Sequence, residues 1–288
     1  MGYRSNLGFG CVSLTQHTFL KNANNILANA FDEGITHFDT APLYGNGFSE
    51  KILGSFIKNK RSRVTITTKC GLGNFNHPAI NLNMALLLNA IKNKLRNITE
   101  NAENFQPTLF PFRSIDINYV KHHLQKSLQN LQTEFIDYYL LHEAIPAFLT
   151  PDAADFLNEQ KQKGIIGEVG VATSYINLLP VTNNDLEGFT VLQYENGPNY
   201  KTDDIKIKYP DKKHFYHSAL RCISSLDKKY SNSEWAGIIL NRACKINPSG
   251  KILFSTTKSK RLMHNLAAFE KYNEAPLETL SKIIDGIY

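Results

Sequence analysis

Short runs of β-branched, aromatic and aliphatic residues alternate along this chain with longer stretches whose apolar positions recur every three or four residues. The short runs predict strands at residues 6–10, 35–39, 64–69, 136–142, 166–171, 190–194, 213–217 and 252–255. Between them FLKNANNILANAFDEG, NYVKHHLQKSLQNLQ, PDAADFLNEQKQKG and EWAGIILNRACKI carry helical spacing. Gly34, Gly164 and Gly188 stand where helix ends are expected, because glycine accepts a left-handed backbone without strain. Eight strand signals alternating with helices predict an α/β protein built as a closed (β/α)8 TIM barrel rather than an open doubly wound sheet. No Pro-, Gly- or Ser-rich linker divides the 288 residues, so one domain over 1–288 is expected.

One segment breaks the alternation. Residues 70–117 separate the third strand from its helix and contain a helical pattern of their own, MALLLNAIKNKLRNI. A connection that long is an insertion, expected to pack across the barrel rim, with a lid, a disordered excursion, or a partner-binding or membrane-surface helix as the alternatives.

Composition narrows the function classes. Hydrophobic residues at 42% and charged residues at 20% describe a globular protein able to bury a full core. The formal charge is +6, but the basic residues are dispersed and form no run. Nucleic acid is therefore not an expected partner, whereas an anionic small molecule is compatible with the excess. Four cysteines, Cys11, Cys70, Cys222 and Cys244, lie far apart and form no C-x-x-C pair. That argues against a metal site or a disulfide framework and for a reducing compartment. The N-terminal residues lack a signal pattern, and no apolar run approaches the roughly 20 residues of a membrane span. A soluble, cytoplasmic protein is expected.

Candidate chemistry gathers at strand ends. In FDTAPLYGNGFSE, Asp39 closes the second strand and Tyr44 follows five residues later, among Pro42, Gly45 and Gly47. Lys69 closes the third strand in VTITTKC, and His142 the fourth in FIDYYLLHEA. Each alone is unremarkable: an acid caps helices, a rim lysine is solvated, a lone histidine is satisfied in a core. Strand C-terminal ends share one face of a barrel, however, and that face carries active sites in this fold. Their joint placement points to a site.

At this point the chain resembles the aldo-keto reductases, on GITHFDTAPLYGNGFSEKILG, ITTKCG, FIDYYLLHEA, KGIIGEVGVATS and FSTTKSKRLMHNLAAF. The resemblance implies a catalytic tetrad of Asp39, Tyr44, Lys69 and His142, an NADP(H) cofactor with NAD(H) not excluded, and a small carbonyl or sugar substrate. No G-x-G-x-x-G stands in the chain: Gly8 and Gly10, and Gly71 and Gly73, each lack the third glycine. The resemblance instead puts the cofactor phosphates near the last strand and its helix, at Ser255, Thr256, Lys258, Arg261 and Asn265. Cations in the first turn of a helix oppose its dipole unless an anion joins them there. Gln193 fits the glutamine that the family carries on the sixth strand. Where many members carry Ser-Asn for the nicotinamide carboxamide, this chain has Ala172-Thr173. His217 stands at the position of the stacking aromatic, with Tyr216 as the alternative one residue away. No metal is implied.

Carbonyl reduction needs a hydride on carbon and a proton on oxygen. A phenol with a pKa of about 10 is a reluctant donor. An ammonium about 4 Å away, at an effective dielectric near 20, interacts by roughly 4 kcal/mol and is expected to lower that pKa by as much as about 3 units. Asp39 would keep Lys69 charged, and His142 as a neutral imidazole would orient the carbonyl. Two other readings use the same residues: a cofactor-binding regulatory or scaffold protein, and a Schiff-base lyase working through Lys69.

Overall fold

The computed structural model describes residues 3–17, 19–71, 114–198, 200 and 203–286. Its strands are β1 (Leu7–Gly10), β2 (His37–Asp39), β3 (Thr65–Cys70), β4 (Ile136–His142), β5 (Ile166–Ala172), β6 (Val191–Glu195), β7 (Lys213–His217) and β8 (Lys251–Phe254). They pair in sequence order, each parallel to its neighbours, and β8 closes on β1. The helices are α1 (Leu20–Asp32), α2 (Phe48–Ile57), α3 (Ile117–Leu131), α4 (Pro151–Gln162), α5 (Tyr175–Leu178), α6 (Asp203–Lys208), α7 (Asn232–Ile246), α8 (Ser259–Tyr272) and α9 (Leu277–Asp285).

Strand side chains alternate between two faces, and the barrel gives the faces different tasks. Phe38, Ile66, Tyr139, Leu141, Val171 and Tyr216 point outward into the large core under the helices, against Leu27, Ile52, Leu124 and Ile239. Leu140, Ala172, Val191 and Phe215 fill the interior, with Tyr138 packed on them. Lower in the barrel His37 meets Tyr138 and Phe215 edge-on at ring distances of 5.7 and 5.3 Å. Gly8 leaves the room for this, since a Cβ there would lie 2.7 Å from the His37 ring.

Helix ends follow local chemistry. Asp116 caps α3 by accepting from the Tyr119 amide at 2.8 Å, and Ser231 and Glu234 form a capping box at the start of α7. Gly34 and Gly164 take positive φ directly after the C-caps of α1 and α4. Gly188 also has positive φ, but it closes a turn at 183–188 and no helix ends there. Gln132 makes the left-handed end of α3, a role for which the sequence offers no glycine.

β3 ends at Cys70 and α3 begins at Ile117; of the insertion expected over 70–117, residues 72–113, including MALLLNAIKNKLRNI, lie outside the described residues. Among the described residues no helix is long and apolar enough to cross a membrane. The four cysteines are free and buried.

Candidate active site

The loop after β2 is built to present Tyr44. Gly45, Asn46 and Gly47 all take positive φ, at 57°, 55° and 81°, which folds the chain tightly into α2. A side chain at Gly45 would put its Cβ 2.3 Å from Thr15 Cγ2, so backbone and backing loop touch here. Thr40 Oγ1 donates to Ser49 Oγ, and Ser49 Oγ donates to the Cys11 carbonyl, both at 2.9 Å. These bonds tie both ends of the loop to the 3-10 segment Cys11–Gln16 after β1.

Period-two alternation then delivers Asp39, Lys69 and His142 to the inside of the rim, because each occupies an inward position at or next to its strand's last residue. Lys69 Nζ donates to Asp39 Oδ1 at 2.7 Å and to the Thr40 carbonyl at 2.9 Å. The ammonium lies 5.1 Å from the centre of the Tyr44 ring, which stands edge-on to His142 at 6.0 Å. Lys69 and Asp39 are 2% and 3% exposed, so the pair is shielded from solvent; Tyr44 is half-buried and opens on a cavity of about 450 Å³. All four residues line that cavity.

The electrostatics correct one expectation. Burial pushes the Tyr44 phenol above its ordinary value of 10.0, and the downward pull of Lys69 is opposed by Asp39. The phenol is therefore protonated at neutral pH; the expected lowering fails because burial outweighs the pull of the lysine, and the carboxylate that holds the lysine adds to the rise. For Lys69, burial is the largest influence and acts downward, yet Asp39 and Tyr44 together leave its pKa raised and the side chain charged. Burial, then Lys69 and His217, hold His142 well below its ordinary value, which makes it a neutral imidazole. Its Nδ1 has no hydrogen-bond partner among the described residues.

The residues expected to hold a cofactor divide into three groups. Gln193, His217 and Ser255 line the cavity with the first four. Gln193 Nε2 donates to Asp39 Oδ2 at 2.8 Å, while its Oε1 is buried without a partner. His217 pairs with Ser218 Oγ at 2.9 Å; its pKa is lowered first by burial. The alternative Tyr216 points outward and packs on Tyr194 at 5.4 Å. Thr256, Lys258, Arg261 and Asn265 gather at the β8–α8 junction beyond the cavity lining. Thr256 and Asn265 are buried there, Lys258 stands at the N-cap position of α8 without a side-chain capping bond, and Arg261 is exposed in its first turn. Thr173 stands apart: it is buried, its hydroxyl donates to Glu143 Oε2 at 3.1 Å and accepts from Asn177 Nδ2 at 2.9 Å, and it does not line the cavity. Sequence reasoning missed Glu143, Ser218 and Arg221, which do line it. Glu143 directly follows His142, and that adjacency was the available signal. Among the described residues no cluster of His, Cys, Asp and Glu could hold a metal.

The Aldo/keto reductase family model matches residues 6–196, and the chain belongs to the aldo/keto reductase family. It is similar to an uncharacterized oxidoreductase of Bacillus subtilis, YqkF, at 27% identity over 175 residues, 61% of this chain and 47% of that one. An NADH-specific methylglyoxal reductase of Escherichia coli is 29% identical over 143 residues, 48% of this chain and 37% of the relative. The matched stretch thus spans less than half the length of either curated relative. Among solved structures, an aldo-keto reductase from Klebsiella pneumoniae in complex with NADPH shares the fold, with a TM-score of 0.65 at 16% identity, covering 98% of this chain and 90% of that one.

Proposed function

We propose that this protein is a nicotinamide-dependent carbonyl reductase, or alcohol dehydrogenase in reverse, acting on a small aldehyde, ketone or sugar. The observation that carries the reading is the shielded Lys69–Asp39 pair held against a protonated phenol at the wall of a cavity that His142 shares. Tyr44 is the general acid for the carbonyl oxygen, because its proton remains in place at neutral pH and the lysine charge stabilises the tyrosinate that forms. His142, uncharged, hydrogen-bonds and orients the same oxygen.

A nicotinamide cofactor fits the residues present. The orphaned Gln193 Oε1 is a buried acceptor that an amide N–H would satisfy, and the basic first turn of α8 suits a phosphate. Gln193, His217 and Ser255 would hold the nicotinamide end, and Thr256, Lys258, Arg261 and Asn265 the phosphate end. When bound, the cofactor supplies the hydride that no side chain can. The NADPH complex and the NADH-specific enzyme among the related proteins support a nicotinamide cofactor, with its 2′-phosphate preference left to measurement.

The test is Tyr44→Phe. The variant is expected to bind NADPH with little change in fluorescence titration and to lose carbonyl reduction by about 10²-fold or more, the usual contribution of a positioned acid. Undiminished turnover would dismiss the phenol as the proton donor.

A further inference from the structure

Glu143 follows His142 at the end of β4 and lines the cavity beside it. Its backbone is left-handed, with φ of 51°, a conformation that non-glycine residues hold only where their surroundings impose it. Here they do. The Glu143 amide donates to the Ala172 carbonyl at 2.8 Å, Thr173 Oγ1 donates to Glu143 Oε2 at 3.1 Å, and Asn177 steadies Thr173 in turn. Glu143 is thus held at the cavity wall by its backbone and by Thr173, and its carboxyl forms no ion pair with any described residue. Burial raises its pKa, against the hydrogen bond from Thr173 and with the help of Glu195. Glu143 is half-buried at the cavity wall with no cation paired to it, so a ligand entering the cavity with a donor group can add a hydrogen bond to its carboxylate.

We propose that Glu143 is a specificity residue, whose carboxylate accepts a hydrogen bond from an O–H or N–H group presented by the bound ligand next to the reacting carbonyl. It favours carbonyl compounds with a neighbouring hydroxyl, such as α-hydroxy aldehydes and aldoses, over plain alkanals, and it disfavours carbonyl acids by like-charge repulsion. The inference rests on the proposed carbonyl site. The carboxamide N–H2 of a nicotinamide ring offers the same donor chemistry, and two measurements separate the sources.

The first compares kcat/KM for glyceraldehyde and for propanal in the wild type, Glu143→Ala and Glu143→Asn, the last because asparagine tolerates positive φ. The glyceraldehyde-to-propanal ratio is expected to fall about tenfold or more in both variants, as when one partner of a shielded hydrogen bond is removed, with propanal changed by less than about threefold. The second compares binding of NADPH and of its 3-acetylpyridine analogue, which lacks the amide N–H2, by fluorescence titration. A fall in the first ratio assigns the donor to the substrate. A variant that instead loses the wild type's preference for NADPH over the analogue assigns it to the cofactor. If neither ratio moves, the inference is overturned. Wild type that binds NADPH but turns over neither aldehyde overturns the carbonyl-site reading, and the binding comparison then still decides whether Glu143 is an acceptor.

Discussion

At the scale of single residues, the site is a contest between burial and charge. Because burial outweighs Lys69 at Tyr44, the phenol titrates above 10.0 in the free protein. Reduction, which consumes the protonated form, is expected to stay level from neutral pH to about 10, whereas alcohol oxidation, which uses tyrosinate, climbs through that range without a plateau. Lys69→Met removes the cation whose pull lowers this pKa, so the alkaline limb of kcat for oxidation should move to higher pH; a shift to lower pH would contradict the electrostatic account. The same variant leaves Asp39 shielded and without its cation, and should lower the free energy of urea unfolding by about 3–5 kcal/mol. Asp39, Tyr44, Lys69 and His142 were legible in the sequence because each lies at or just after a strand end, where the fold decides which way it faces. The sign of the phenol's shift was not, since it depends on how completely the packed loop excludes water. Glu143 escaped notice for a related reason: an acid after a strand reads as a solvated loop residue unless its backbone conformation is known.

At the scale of elements, α2, α3 and β3 meet through one carboxyl. Glu50 on α2 is fully buried, accepting from Thr68 of β3 at 2.7 Å and from Asn130 of α3 at 3.0 Å. Burial raises its pKa from 4.5, with hydrogen bonds from Asn130, Ser127 and Thr68 pulling the other way. The folded protein therefore retains this proton longer than the unfolded chain. Its contribution to stability is complete below about 4.5 and is lost as pH rises through the folded value. The melting temperature of wild type minus that of Glu50→Gln should accordingly decrease from pH 5 to pH 8, and a difference that grows would refute the assignment. All eight strands were readable: those expected at 136–142 and 213–217 coincide with β4 and β7, and the others differ by one or two residues at their ends. The short helices α5 and α6, with 4 and 6 residues, were not, because a single turn is too brief to show a period. Gly188 misled because a turn and a helix end use the same left-handed residue.

For the whole molecule, closure of the barrel gathers residues far apart in the chain, such as Asp39 and Gln193, into one hydrogen bond. It also leaves the positive first turn of α8 beside the last strand, with no acidic residue there to offset the dipole. Arg261→Ala and Lys258→Ala are expected to weaken NADPH by about tenfold while changing NADH little, with the NADPH affinity falling as salt is raised. Equal losses for both cofactors would remove the 2′-phosphate from this corner. The alternation along each strand has a longer reach. Asp39 and Lys69 face the cavity while their neighbours Phe38 and Thr68 face the helices, so two vocabularies are interleaved on the same staves. A lineage can rewrite inward words at the rim, and with them what the protein accepts, while the outward ones go on packing the helices against the barrel.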